Sequence, residues 1–289
     1  MKNYLSKTLN SNKVGYIFIS PWILGFLIFT AYPIIYSLYL SFFEVTITAT
    51  GIETYFVQFE NFRRVITEDV EFLRQLGSFF IEAIISVPLI VVLALIMALL
   101  LNQPIKARGF FRTIFFLPVI ISSGPVINKL MDMGVTSIPS LAEYQFYQIL
   151  AMNSGFFLID LLLYILNNAI LLLWLSGVQI LIFIAALQKV DKQVYEAARI
   201  DGASTWEIFW KVTLPSLFPM ILVNIIYTTV TYSVSALNPI TDHIGSHMFR
   251  LETGFGYASA ISWIYFVVVT VVLLILAGIF VAFEKKSLK

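Results

Sequence analysis

The sequence contains no cysteine and only two histidines. Without cysteine, the chain has no disulfides, no thiolate metal sites and no cysteine nucleophile. Two histidines leave little room for a histidine-based metal cluster, so we expect no metal site. The formal net charge of +1 gives no electrostatic basis for binding nucleic acid, and we expect no such partner.

Charged residues are also scarce, whereas apolar residues are in excess. Hydrophobic residues make up 59% of the 289 positions, and charged residues make up 12%, about half the share of a soluble domain. A single soluble core cannot bury that much apolar surface. The composition therefore predicts a polytopic membrane protein of the all-α class.

Six stretches free of acidic and basic side chains are candidates for membrane spans, each of which needs roughly 20 mostly apolar residues. They are residues 15–43, 83–105, 113–128, 161–188, 212–241 and 253–283. The third is short and contains Pro118 and Pro125, which favours a kinked or broken helix supported by its neighbours. We predict a six-helix transmembrane domain over residues 15–283, preceded by a segment 1–14 and followed by a tail 284–289.

The distribution of lysine and arginine predicts the orientation in the membrane. With the N-terminus inside, the outer segments hold only Arg63, Arg64, Arg74, Lys129 and Arg250, and the inner segments hold the other 13 of the 18 basic residues. We therefore expect a multi-pass protein of the cell membrane with both termini in the cytoplasm. The first span is too long for the apolar region of a signal peptide and is expected to be retained.

The segment from Lys189 to Thr213, on the cytoplasmic side in this orientation, differs from the rest because it carries charges of both signs. Its pattern predicts two short helices. Asp191 can cap the first, and Ser204 with Glu207 forms an S-x-x-E capping box for the second. Gly202 lies where a helix C-cap would adopt the left-handed conformation. This geometry alone is compatible with a solvated connector or with a docking element.

The same loop resembles the EAA signature of binding-protein-dependent ABC importer permeases. The matching residues are Glu196, Ala197, Ala198, Gly202, Leu214 and Pro215. The fuller run from Tyr195 to Ala203 is similar to the carbohydrate branch of that family. The runs 32–37 and 109–118 are also similar to the family, so the resemblance covers nearly the whole chain.

The resemblance implies a type I ABC importer permease fold in which residues 189–213 couple to a cytoplasmic ATPase. Gly202 would permit the turn, Ala197 and Ala198 a close approach, and Glu196 a polar contact. The implied partners are a second homologous permease in a heterodimer, two ATP-binding cassette subunits, an extracytoplasmic sugar-binding protein and membrane lipid. No cofactor is expected in this chain, because ATP and Mg²⁺ would be bound by the ATPases.

Two other classes of protein are alternatives to this interpretation, an ion-coupled secondary transporter and a membrane enzyme. The chain has no G-x-x-x-x-G-K-[ST] motif, so ATP-driven transport requires a separate nucleotide-binding subunit. The alternative is an ion-coupled secondary transporter of a small polar solute, but its possible relay residues, Glu82 and Asp160, fall at predicted span ends. An enzyme is not expected, because His243 and His247 do not fit H-E-x-x-H and no catalytic residues stand out.

Polar and aromatic residues in the last three spans are candidates for the pathway of a neutral sugar, since ligand pockets combine apolar walls with a few polar groups. The candidates are Asn167, Asn168, Trp174, Gln179, Asn224, Tyr227, Tyr232 and Trp263. The same residue types also join helices by hydrogen bonds and lie at membrane interfaces. The sequence does not distinguish these roles, and it does not identify the sugar.

Overall fold

The computed structural model describes residues 15–48, 51–103, 109–110, 113–114, 129, 143–235, 238–250 and 252–287. The chain divides into two compact units. The first comprises residues up to 73 together with 243–268, and the second comprises residues 74–242 together with 269–289.

Helices dominate the described residues. We number them α1 (Gly15–Leu40), α2 (Glu60–Thr67), α3 (Val70–Asn102), α4 (Gln145–Met152), α5 (Phe157–Asn167), α6 (Ala169–Leu175), α7 (Gly177–Lys189), α8 (Lys192–Ile200), α9 (Thr205–Ser233), α10 (Pro239–Met248) and α11 (Gly254–Ser287). Helices α1 and α9 each contain a π-helical turn, at Leu27–Ala31 and Phe209–Thr213.

Four of these helices, α1, α3, α9 and α11, are long and apolar enough to cross a membrane. The count rises to five if the bent pair α5–α6 forms one span. Most of the predicted third span, residues 113–128, lies outside the described residues, so six spans remain a prediction. Helix α1 has no buried residue in its most apolar window, which leaves its surface for lipid or another subunit.

The predicted fourth span, residues 161–188, is not one continuous helix. Helices α5 and α6 meet at Asn168 with a bend of 70°, and a second break follows at Ser176. The Asn168 amide donates to the carbonyl of Tyr164 at 2.9 Å, and the Ser176 hydroxyl donates to the carbonyl of Leu173 at 2.7 Å. Short polar side chains that bond nearby backbone groups compete with the regular helix, which accounts for both breaks.

A β-hairpin interrupts the otherwise helical chain after α1. Strands β1 (Phe43–Thr48) and β2 (Gly51–Phe56) pair antiparallel, with Phe43 opposite Phe56. The β-branched residues of the FEVTIT strand favour this extended conformation. Gly51, the first residue of β2, has a φ of +139°, which only glycine adopts readily. The all-α expectation is therefore correct for the dominant architecture and missed this hairpin.

The backbone of β1 organises the first unit. The buried amide of Asn61 in α2 donates to the carbonyls of Ser41 and Phe43, both at 3.0 Å. From the other direction, the first turn of α11 approaches so closely that a side chain at Gly256 would overlap the carbonyl oxygen of Phe43. Residues of α2 and α11 thus both pack directly on the start of β1.

The core of the second unit lies where α3, α7 and α9 meet. Its buried residues are Val91, Ala94, Ala98, Leu101, Ile180, Phe183, Ile184, Ala186, Leu187 and Leu217. Their three- and four-residue spacing within α3 and α7 places them on one face of each helix. Small residues in α3 allow the bulky side chains of α7 to approach it, and this packing fixes the helices that surround the site described next.

Candidate functional site

A cavity of about 350 Å³ lies in the second unit, bordered by α3, by the bend between α5 and α6, and by residues 232, 235, 238 and 239 near the end of α9 and the start of α10. Its lining residues are Phe79, Glu82, Tyr164, Asn168, Leu171, Tyr232, Ser235, Asn238 and Pro239. We call this cavity the polar pocket. Its size and its combination of aromatic walls with a few polar groups are typical of a site for a small molecule.

Hydrogen bonds between helices fix the positions of side chains in the polar pocket. The Tyr232 hydroxyl donates to Glu82 Oε2 at 3.3 Å, and the hydroxyls of Ser86 and Tyr164 lie 2.6 Å apart. The first bond joins α9 to α3, and the second joins α5 to α3. Glu82 supplies the only formal charge among the described residues that line the pocket. The pocket therefore offers hydroxyl, amide and carboxylate groups with a negative bias.

Asn238 secures the part of the pocket wall between α9 and α10. Its side chain is buried, accepts from the backbone N–H of Ile240 at 3.0 Å and donates to the carbonyl of Ser233 at 2.8 Å. It therefore caps the start of α10 and satisfies a carbonyl at the end of α9. Asn168 has the corresponding position at the α5–α6 bend, so both asparagines place polar groups where a helix is interrupted.

Two of the eight predicted pathway residues, Asn168 and Tyr232, line the polar pocket, and the other six do not. Asn167 is exposed and accepts a hydrogen bond from Tyr147 at 3.0 Å. Trp174 is partly buried and Tyr227 is 36% exposed.

The remaining three predicted pathway residues are used in packing. Gln179 is buried and donates to the Thr228 hydroxyl at 2.9 Å, between α7 and α9. Asn224 is fully buried, and within the described part of the chain its amide has no hydrogen-bond partner. Trp263 belongs to the first unit, where its indole N–H donates to Ser37 at 3.2 Å. The contacts of Gln179 and Trp263 therefore join helices, and none of the three residues lines the polar pocket.

Four polar residues that line the pocket are not among the eight predicted pathway residues: Glu82, Tyr164, Ser235 and Asn238. Glu82 was noticed, but its position at the end of a predicted span suggested an interfacial side chain. Tyr164 lies four residues before Asn168, on the same helix face, and this spacing is the signal that was available. Ser235 lies in the same uncharged stretch, 212–241, as the predicted residue Tyr232, whereas the position of Asn238 depends on the break after α9.

The segment from Asp191 to Glu207 has the local structure that its capping residues predict. Asp191 accepts from the Gln193 N–H at 2.9 Å, and Ser204 with Glu207 forms a complete capping box. Gly202 has a φ of +81° and follows the end of α8. Its N–H donates to the carbonyl of Arg199 and that of Ala203 donates to Ala198, which is the Schellman pattern of a helix C-terminus.

This helix–glycine–helix element presents apolar side chains to solvent. Val194 is 47% exposed, Ile200 85% and Trp206 69%. The predicted contact residues Glu196 and Ala197 are exposed as well, and Ala198 is partly buried. We call these residues of α8 and the start of α9 the EAA surface. Exposed apolar side chains grouped with polar ones are typical of a surface that binds another protein.

A side-chain contact joins α8 to the base of α9. The hydroxyls of Tyr195 and Thr213 lie 3.3 Å apart, and Thr213 is buried. Leu214 and Pro215 of the signature follow directly as the first residues of the long α-helical part of α9. Pro215 directly follows the π-helical turn at Phe209–Thr213, where the regular helix hydrogen bonds are already interrupted, so its missing N–H is tolerated there.

Comparison with known proteins assigns the chain to a family. Residues 66–288 match the family described as binding-protein-dependent transport system inner membrane component. The chain belongs to this family. The probable ABC transporter permease protein YesP of Bacillus subtilis is 30% identical, covering 96% of this chain and 94% of that protein. The lactose transport system permease protein LacF of Rhizobium radiobacter is 29% identical, covering 94% and 95%.

The fold agrees with this assignment. A bacterial ABC transporter involved in the import of the acidic polysaccharide alginate has a chain with a TM-score of 0.59 at 20% identity, covering 96% of this chain and 98% of that one. The resemblance read from the EAA signature is therefore confirmed, and the chain is a membrane-embedded transport subunit of the ABC importer permease family. The matched range includes both the polar pocket and the EAA surface.

Proposed function

We propose that this chain is the permease subunit of an ATP-driven importer for a carbohydrate, with an oligosaccharide as its substrate. Its relatives include permeases named for lactose, arabinooligosaccharides and multiple sugars, which supports a saccharide. The single observation that carries the proposal is that the EAA signature forms an exposed helix–glycine–helix element joined directly to a long apolar helix. Such an element can pass a partner's movement to the membrane.

In this proposal, the EAA surface docks on a cytoplasmic ATPase. Ile200 and Trp206 would bury their exposed side chains in the interface, and Glu196 would add a polar contact. Movement of α8 would reach α9 through the Tyr195–Thr213 contact and through the continuous chain into Leu214. ATP and Mg²⁺ would be bound by the partner, and both termini of this chain would lie in the cytoplasm.

The complete importer would contain a second homologous permease, two ATPase subunits and an extracytoplasmic sugar-binding protein. The alginate transporter that shares this fold was solved in complex with a pentasaccharide-bound periplasmic protein, which makes a similar arrangement reasonable here. The orientation predicted from lysine and arginine would then direct the polar pocket toward the side from which the binding protein delivers substrate. Alternating access would carry the sugar from this pocket to the cytoplasm.

The polar pocket favours a neutral sugar over an acidic one. Tyr164 and Tyr232 offer flat faces and hydroxyls, Asn168 and Asn238 offer amides, and Glu82 offers a hydrogen-bond acceptor for sugar hydroxyls. A uronate would place a second negative charge near Glu82, with no positive side chain among the described lining residues to compensate. We therefore infer that the substrate is a neutral saccharide.

Reconstituted transport tests the energy source. We expect sugar uptake into proteoliposomes that contain the complete importer to require ATP and to remain unchanged when proton and sodium gradients are abolished at constant ATP. The reason is that coupling would pass through the EAA surface rather than through a carboxylate relay. Uptake that stops when the gradients are removed would support the ion-coupled carrier, with Glu82 as its relay residue.

Substitution of Glu82 tests the charge preference. We expect Glu82→Gln to weaken discrimination against an oligouronate, relative to a neutral oligosaccharide of the same length, by about tenfold. Two charges about 4 Å apart near a protein surface repel by about 4 kcal/mol, and the exposure of Glu82 to water reduces this strongly. Binding of both sugars to the purified permease would be measured.

The matched control for this experiment is Glu71→Gln, which removes an exposed carboxylate from the same helix but outside the polar pocket. It should leave discrimination unchanged. Equal discrimination by the wild type and Glu82→Gln would show that Glu82 does not face the substrate.

A further inference from the structure

Three potential metal ligands meet in the first unit. Asp69 immediately precedes α3, and His243 and His247 lie one helical turn apart on α10. One carboxylate oxygen and one ring nitrogen of each histidine all lie within 4.8 Å of one another. All three side chains are largely buried: those of His243 and Asp69 are 11% and 7% exposed, and His247 is 8% exposed. We call these three residues the His–His–Asp cluster.

The spacing of the ligand atoms already approaches that of a coordination shell. His243 Nε2 lies 2.9 Å from Asp69 Oδ2, and the two imidazole rings have centroids 4.5 Å apart. Ligands at about 2.0–2.1 Å from a tetrahedral metal ion are separated by only slightly more than 3 Å. Small side-chain rotations would therefore bring all three atoms around one ion. We propose that the His–His–Asp cluster binds a late first-row divalent metal ion, for which zinc is the natural probe.

The hydrogen bonds of Thr253 prepare His247 as a ligand. The Thr253 hydroxyl donates its one proton to the carbonyl of His247 at 3.0 Å, and His247 Nδ1 lies 3.2 Å from the same oxygen. Since that hydroxyl has no second proton, Nδ1 of the neutral ring must be the donor. Nε2 then carries the lone pair that a metal ion requires.

The protonation states agree with this arrangement. Burial lowers the pKa of His247, and the nearby His243 and Arg250 lower it further. Burial opposes ionisation of Asp69, but hydrogen bonds from His243, the Phe72 N–H and Tyr257 outweigh it and lower its pKa. Neutral imidazole and ionised carboxylate are the forms that bind metal ions.

Neighbouring groups orient the Asp69 carboxylate, as the hydrogen-bonding residues around a metal site orient its ligands. The backbone N–H of Phe72 donates to Asp69 Oδ1 at 2.9 Å, and the Tyr257 hydroxyl donates to Oδ2 at 2.9 Å. Such contacts to a ligand's remaining atoms are a regular feature of metal sites and tune their affinity. Metal binding at Nε2 of His243 would require the proton that this nitrogen donates to Asp69 to move to Nδ1 of the same ring, while Phe72 and Tyr257 keep the carboxylate in place.

The ligand set selects the kind of metal ion. Two imidazoles and one carboxylate, completed by one further ligand such as water, suit zinc, nickel or cobalt. Calcium needs six to eight oxygen ligands and magnesium a near-ideal octahedron of oxygens, so neither fits. A bound ion would cross-link the start of α3 to α10, and the first unit would become more stable by ligand linkage. The two histidines alone predicted no metal site, and Asp69 supplies the missing ligand.

Zinc binding to the purified full chain tests this proposal. The chain would be purified with an affinity tag that contains no histidine, and bound metal would first be removed with a chelator. After dialysis, elemental analysis should find one zinc per chain. The melting temperature should rise with zinc but not with magnesium. When cobalt is the probe, the chain should show the visible absorption of tetrahedral cobalt. His247→Ala should abolish all three signals. Tyr257→Phe should keep the ligands and weaken zinc binding by about tenfold or more, as outer-shell losses do.

Asp242→Asn is the matched control, because it removes an exposed carboxylate next to His243 without touching the cluster. It should bind zinc like the wild type. Failure of the wild-type chain to bind zinc or cobalt would overturn the proposal, and so would unchanged zinc binding by His247→Ala. If His243→Ala does not fold, His247→Ala and the cobalt spectrum still decide the question, since His247 makes no bond to Asp69 that folding would need.

Discussion

Gly202→Leu is expected to insert into the membrane and fold, yet to lose its ATPase partner. Gly202 has a φ of +81° and closes α8 in a Schellman pattern, and a leucine there costs roughly 1–2 kcal/mol in backbone strain. No atom lies within 4 Å of where a side chain would begin, so the chain itself can accommodate the bulk. The effect should therefore appear in the docked complex. Co-purification of the ATPase with the tagged permease measures it.

Gly202→Asn separates the two reasons why leucine would fail. Asparagine is close to leucine in size but tolerates the left-handed conformation far better. If the turn is what the ATPase requires, the asparagine variant should keep most of its ATPase while the leucine variant loses it. If any side chain blocks the docking surface, both variants should lose it. Full ATPase association and transport by Gly202→Leu would contradict the coupling role of this loop.

Gly256→Ala is expected to destabilise the first unit strongly. A Cβ at this position would overlap the carbonyl oxygen of Phe43 and crowd that of Leu40, so the start of α11 would have to move away from β1. Extra methyl groups in a packed interior typically cost about 1–3 kcal/mol, and backbone atoms yield less readily than side chains. Thermal unfolding of the purified chain in detergent should show a clearly lower melting temperature, accompanied by reduced yield.

Gly245→Ala is the control for this substitution. Gly245 lies inside α10, and a Cβ there meets no atom within 4 Å. Alanine stabilises a helix interior by roughly 0.5–1 kcal/mol relative to glycine, so this variant should melt at or slightly above the wild-type temperature. Equal melting temperatures for Gly256→Ala and Gly245→Ala would mean that α11 does not pack on β1 as described.

Local structure in the EAA segment followed from sequence because its determinants are close together in the chain. Asp191 bonds a backbone N–H two residues away, and Ser204 bonds one three residues away. At the end of α8, the N–H groups of Gly202 and Ala203 bond carbonyls that lie three and five positions earlier, respectively. Interactions of this range depend on the identity of a few neighbouring residues and not on the rest of the fold, so the caps and the turn were predicted correctly.

Whether an apolar stretch forms one continuous helix was less predictable from its hydropathy than the helix caps were from their residues. The stretch 161–188 has no charged residue, and apolar composition alone gave no reason for a break. The bend at Asn168 depends on whether its amide bonds the Tyr164 carbonyl or another partner, and that choice is made by the surrounding helices. The hairpin after α1 was missed for a similar reason, because a short amphipathic strand gives a weak signal beside long apolar helices.

The sequence by itself determined the membrane class, four of the long apolar helices, the capped EAA segment and the family, because each depends on composition or on nearby residues. Only the tertiary structure decided which polar side chains meet. It brought Tyr232 to Glu82, 150 positions away, and left Gln179 and Asn224 in helix packing. It also brought His243 to Asp69, across 174 positions. Such contacts depend on how distant helices pack, which the spacing of residues along one helix does not specify.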